Sequence, residues 1–178
     1  RQQFFFVVIS NRSKHRAVIL QVHTRSLQSF VKSSDLYLCL ENLGSVPETH
    51  TVERLNGIID TLGGDNLAIC LDTGHLHLTR IRDGNTQTTT EFVRTAGDRL
   101  KALHIHDNDQ RHDSHQIPFS MKIDFAPIVK ALKQIGYKGY FTLEASNYLK
   151  NWDSSRIFEG VCDLAQSAKK LAKMFEEC

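Results

Sequence analysis

The 178-residue chain is 40% hydrophobic and 24% charged, with a net charge of +2 when its nine histidines are neutral. That describes an ordinary globular domain with enough chain for a core; it gives no sign of the basic stripe that tracks phosphates, so nucleic acid is not an expected partner. No run of about 18 apolar residues occurs, so no membrane span is expected, and FFFVVI near the start lacks a signal peptide's small-residue cleavage pattern. The four cysteines, Cys39, Cys70, Cys162 and Cys178, form no C-x-x-C pair. Cys39 and Cys70 lie inside apolar runs, as buried free thiols do, and a reduced, cytoplasmic setting is the expectation.

Phe4 to Ile9 is a continuous apolar run and reads as a strand buried on both faces. Lys14 to Lys32 carries an imperfect helical stripe. Leu36 to Leu40 is the next strand and runs into Glu41-Asn42-Leu43-Gly44. Val52, Leu55, Ile58, Ile59 and Leu62 recur at three and four and predict a helix from Thr51 to Leu62, stopped by Gly63-Gly64. Leu67 to Leu71 is a strand ending in Asp72-Thr73-Gly74-His75. Gly84-Asn85 marks a loop, Thr90 to Arg99 a helix, and Leu100 to His106 a strand. Asp124 caps a helix through Ile135, with Pro127 in the first turn, where its missing N–H does no harm. Tyr140 to Leu143 is a strand ending in Glu144, and a last helix runs from about Ser154 to Phe175.

This β-α alternation with apolar strands predicts a parallel sheet covered by helices, in one domain spanning 1–178. Strand ends fall at Glu41, Asp72, His104 and Glu144, spaced by 31, 32 and 40 residues, close to the length of a βα unit. Active sites of such sheets form at the carboxyl ends of the strands. The stretch Leu103 to His115, LHIHDNDQRHDSH, packs four histidines and three aspartates into thirteen residues. Residues two apart on a strand share a face, so His104 and His106 point the same way. Asp113 and His115 form a second such pair further on. Imidazole with carboxylate suits a borderline or hard divalent ion.

The motifs LCLENLG, LAICLDTGH, LKALHIHDND with DSH, and GYKGYFTLE resemble the xylose isomerase-like TIM-barrel superfamily, which holds sugar isomerases and epimerases and the endonuclease IV family. The resemblance implies a (β/α)8 barrel represented by its C-terminal five βα units. It also implies one divalent ion, Mn2+ first and Mg2+, Co2+ or Zn2+ otherwise, on Glu41, Asp72, His104 and Glu144. Glu41 and Glu144 would double as the acid/base pair that moves a proton through an enediolate of a sugar, or of a sugar-like polyol or keto acid. His75 resembles the substrate-binding or second-metal histidine; His106, Asp107, Asp113 and His115 join that second set, with the choice between His104 and His106 as the first ion's ligand left open.

Departures from the pattern bear on these expectations. Where relatives carry P-G-x-G after the D-x-H pair, this chain reads Ile117-Pro118-Phe119-Ser120-Met121, and Ser10 stands where many place a histidine. Both weaken a three-metal site. A full barrel needs about 250 residues, so this chain is expected to lack the first three βα units; Arg1 in place of Met favours the same expectation of a C-terminal portion. Five strands would leave two edges open, so the chain is expected to be such a portion or to complete itself with a partner, a second copy among the candidates. The alternatives are a metal-dependent phosphodiesterase of the endonuclease IV type, or an inactive barrel fragment.

Overall fold

The computed structural model describes Gln3–Val7, Leu27 and residues 36–178. The helix expected over Lys14–Lys32 and the end of the first expected strand, with Ser10, lie outside those residues. Five strands make one sheet: β1 (Gln3–Val7), β2 (Leu36–Glu41), β3 (Leu67–Asp72), β4 (Leu100–Ile105) and β5 (Thr142–Leu143). Every neighbouring pair is parallel and the order in space is the order in sequence. A sheet wound this way keeps its helices on one face and turns the other inward, which is five strands of a (β/α)8 barrel.

The helices are α1 (Val52–Leu62), α2 (Thr73–Arg82), α3 (Thr89–Ala96), α4 (Phe125–Gln134), α5 (Ser146–Lys150) and α6 (Ile157–Glu177). Their starts follow local chemistry. The Thr51 side chain accepts from the Arg54 N–H, Thr88 and Glu91 form a reciprocal capping box, and Asp124 accepts from Ala126 N–H, each satisfying an orphan donor of the first turn. Gly63 and Gly136 take positive φ where α1 and α4 stop, the conformation that glycine tolerates best.

Strand residues divide by parity. Leu38, Leu40, Ile69, Leu71, Leu103 and Ile105 face the helices and pack with Leu55, Phe92, Ile128, Leu132 and Leu171 in the main core. Burying each such side chain is worth about 1.5–3 kcal/mol. The other face carries small residues, Cys39, Ala68, Cys70 and Ala102, in a separate cluster. Both buried cysteines are free thiols. Beyond this thin inner layer stand the polar strand ends.

Three features differ from the sequence expectation. Residues Thr73–Arg82, where the sequence reading ends a strand at Thr73–His75 and expects no helix before Thr90, form α2. Thr73 to Thr79 are all buried, so no amphipathic stripe announces the helix. The strand expected over Tyr140–Leu143 shortens to Thr142–Leu143: Tyr140 is 69% exposed and its carbonyl accepts from the Tyr137 hydroxyl at 3.2 Å. Helix α3 ends at Ala96, and Gly97–Arg99 tighten into a 3-10 turn. No helix among the described residues is long and apolar enough to cross a membrane.

Candidate metal centre

The sheet lifts its polar ends in a staircase. Glu41 pairs with Cys70, two residues short of Asp72; Asp72 pairs with His104; and His104 pairs with Thr142, two short of Glu144. Barrel strands tilt against the axis, so residues at one axial height lie on different register rows. Glu41, Asp72, His104 and Glu144 accordingly meet, each offering a ligand atom within 4.8 Å of the others. His104 Nδ1 lies 3.3 Å from Glu41 Oε1 and 3.1 Å from Glu144 Oε2. Burial would raise the Glu41 carboxyl, but the His104 and His75 imidazoles beside it hold it below its ordinary value. Burial opposes charge on His104, yet Cys70, Glu144 and Glu41 raise its pKa.

A second group, His75, His106, Asp113 and His115, likewise brings one ligand atom from each residue within 4.8 Å of the others. His75 is carried by the first turn of α2, whose N-cap is Asp72; one Asp72 oxygen accepts the His75 N–H at 2.7 Å. His75 Nε2 is 3.4 Å from Asp113 Oδ2, while its Nδ1 is 3.6 Å from both Glu41 and Asp72, so this ring stands between the two groups. His106, fully buried just past β4, brings Nε2 to 3.0 Å from Asp72 Oδ1 and stacks on His115 at 3.9 Å between ring centroids. His115 Nδ1 donates to the Glu144 carbonyl at 2.9 Å, and Nε2 faces Asp113 Oδ1 at 3.3 Å. A hydrogen bond from one ring nitrogen fixes the tautomer and leaves the other as the ligand atom.

Opposed charges set the titration of this group. Burial pulls against a charged His75, but Asp72, Asp113 and Glu41 raise it to about 11. Asp113 raises His115 to about 9 against the effect of burial. Burial would lift the carboxyls of Asp72 and Asp113, yet the imidazoles hold both well below the usual carboxylate range.

The donor set fits a divalent ion. Asp72 Oδ2, Glu144 Oε2, His75 Nδ1 and both His106 ring nitrogens are buried and make no well-aligned hydrogen bond among the described residues, a costly arrangement unless charge is met by charge. Ligand bonds of about 2.0–2.2 Å suit donor atoms gathered this closely.

Asp107 does not join either group. One of its oxygens accepts the N–H of Asn108 at 2.8 Å and of Ile123 at 3.0 Å, and the other the N–H of Met121 at 2.8 Å. These three bonds tie Asp107 into the loop that follows β4. His104 and His106 share a side of β4 as expected, but each serves a different group. Three supports went unread in the sequence. Asn42 bonds the Asp72 backbone, and Asn108 Nδ2 donates to the Gly74 carbonyl at 2.8 Å. Gly74 is the third: a Cβ there would fall 2.0 Å from His106 Cε1, and a glycine inside D-T-G-H is a signal of such close approach. The loop to α4 holds Gln110, His115 and Phe119 at positive φ. Phe119, φ 73°, occupies the first glycine of the P-G-x-G pattern, its ring packed on Phe125 and under the Lys170 ammonium at 3.9 Å.

A parallel singly wound sheet with polar strand ends collected at its carboxyl edge defines a class, and comparison agrees. Residues 11–178 match the family model described as xylose isomerase-like TIM barrel, and the chain belongs to that family. It is 25% identical over 141 residues to the D-psicose 3-epimerase of Enterocloster bolteae, covering 78% of this chain and 43% of that protein. A crystal structure of D-psicose 3-epimerase in the presence of D-fructose superposes with a TM-score of 0.71 at 15% identity, covering 97% of this chain and 64% of that one. The IolI protein with a bound zinc atom gives 0.67 at 16% identity, covering 99% and 63%. The structural likenesses establish the fold. The chain spans 57% or less of the length of the curated relatives it matches.

Proposed function

We propose that the protein carrying this chain is a divalent-metal-dependent isomerase or epimerase of a small sugar, or of a sugar-like polyol or keto acid, with residues 1–178 as one partial-barrel domain. The observation that carries the reading is the meeting of Glu41, Asp72, His104 and Glu144 from four consecutive strands within 4.8 Å. These four would hold the ion. Three carboxylates to one imidazole favour a hard cation such as Mn2+ or Mg2+, with Co2+ or Zn2+ as substitutes. A bound ion would supply Lewis-acid polarisation of adjacent substrate oxygens.

The chain's own groups do the rest. Glu144, 41% exposed at its side chain, reaches the open side of the site, and Glu41, 3% exposed, forms its floor. One carboxylate takes a proton from the substrate carbon and the other returns it, the arrangement that an epimerisation between two faces requires. His75, with Asp113 and His115, would orient a substrate oxygen or hold a second ion. The test is turnover of D-psicose or D-fructose, the sugars named for the similar proteins, in D2O. Proton transfer through a carboxylate places deuterium on the product carbon. Product free of solvent deuterium over many turnovers would mean a hydride shift and overturn the assignment. The histidine-rich second group favours one further reading, a phosphodiesterase of the endonuclease IV type, and cleavage of an abasic-site oligonucleotide decides between them.

A further inference from the structure

We propose that Asn42 is a positioning residue whose side-chain amide stands in for a missing strand peptide, fixing Asp72 beside Glu41 so that their carboxylates can share one ion. The inference rests on the metal-centre reading above. Strand β2 ends at Glu41, whose register partner is Cys70. Asp72 therefore lies beyond the last paired row of β2, at a point where the chain after Asn42 turns away. In an extended strand the N–H and C=O of one residue face the same neighbour. The Asp72 N–H donates to Asn42 Oδ1 at 2.7 Å, and the Asp72 carbonyl accepts from Asn42 Nδ2 at 2.9 Å. Asn42 is 1% exposed.

A planar amide offers one donor and one acceptor side by side, as a peptide does, and asparagine has the length to present both here. The other flank of the segment is tied to β4. The Thr73 hydroxyl bonds the His106 carbonyl at 3.2 Å and takes the His106 N–H at 3.4 Å, and Asn108 holds the Gly74 carbonyl. Asn42 is thus the link toward β2, and it is the residue next to Glu41. Its loss would leave Asp72 fixed to His106 but released from Glu41, widening the spacing that the ion needs.

The experiment titrates Mn2+ into the purified protein, following the free-Mn2+ electron paramagnetic resonance signal, with circular dichroism as the check on folding. Asn42→Ala removes both bonds. Asn42→Gln keeps the amide but adds a methylene, so it remains informative where the alanine variant folds poorly. Val52→Ala, a buried change on the helix side of the sheet, serves as the control for general destabilisation. Both Asn42 variants should weaken Mn2+ binding by about 10–100-fold, the range for supports of metal ligands, while Val52→Ala binds as the wild type does. Asn42 variants within twofold of the wild type, or an equal loss in Val52→Ala, would overturn the inference. A wild-type protein that binds no Mn2+ would overturn the metal-centre reading itself, and this inference with it.

Discussion

The two candidate ligand groups share a neighbourhood and differ in how they are made. Glu41, Asp72, His104 and Glu144 stand on or next to the ends of four paired strands, three carboxylates to one imidazole. His75, His106, Asp113 and His115 reverse that ratio and come from a helix turn, a strand exit and a loop. The first is held by the sheet ladder. The second depends on a ring stack, a residue at positive φ and a glycine with no room for a methyl group. Donor chemistry follows the same division: oxygen-rich sites suit hard ions and imidazole-rich sites suit Zn2+. Paired backbone holds the strand-borne group, while side-chain packing and loop conformation hold the other.

The largest test of this contrast falls on the first group. Glu144→Gln keeps the shape and one donor oxygen but removes a base, and turnover should drop by about 10²–10⁴-fold, measured under saturating Mn2+ with metal content read in parallel. A variant that retains full turnover would move the proton transfer to the second group.

Next comes Gly74→Ala. The new Cβ would collide with the His106 ring, which must leave its stack on His115. We expect a loss of at least tenfold in Zn2+ affinity at the second group. Overpacking should cost about 1–3 kcal/mol of stability, read by denaturant melts, while Mn2+ binding at the first group persists in part. Equal losses at both groups would show that the distinction between them is artificial.

The smallest effect is in pH. The folded values of His75, about 11, and His115, about 9, lie above their ordinary 6.5. Their ion pairs therefore stabilise the metal-free protein fully below about pH 6.5, and that contribution fades as pH rises through 9 and toward 11. An ion takes neutral imidazole and must displace those protons. Melting temperature in chelator should fall modestly from pH 7 to 10 while Zn2+ affinity climbs across the same window. A flat affinity profile would remove His75 and His115 from the ligand set.

What could be read from sequence follows the same division. Apolar runs ending in Glu41, Asp72, His104 and Glu144 expose strands and candidate ligands together, because a period of two places each residue on a known face. The pairing of Asp113 with His115 was also legible as a motif. Helix α2 was not, since a segment buried all round has no stripe to detect. Asn42 acts through a residue 30 positions away, which no local pattern encodes. Asp107 reads as a ligand because it is a carboxylate beside two histidines, and its bonds to three backbone N–H groups have no local signature. Positive φ at His115 and Phe119 carries no glycine to mark it.

Phe119 ties that loop to a distant part of the chain. A bulky residue in the left-handed region costs of order 1–3 kcal/mol, and what restrains it here comes from α4 and α6: Phe125, the Lys170 ammonium, and Ser167, whose hydroxyl donates to the Pro118 carbonyl at 3.3 Å. The final helix therefore acts as a distant tether on the loop that carries Asp113 and His115, and sequence drift along α6 has a route to shift the candidate second group although that helix supplies none of its four residues.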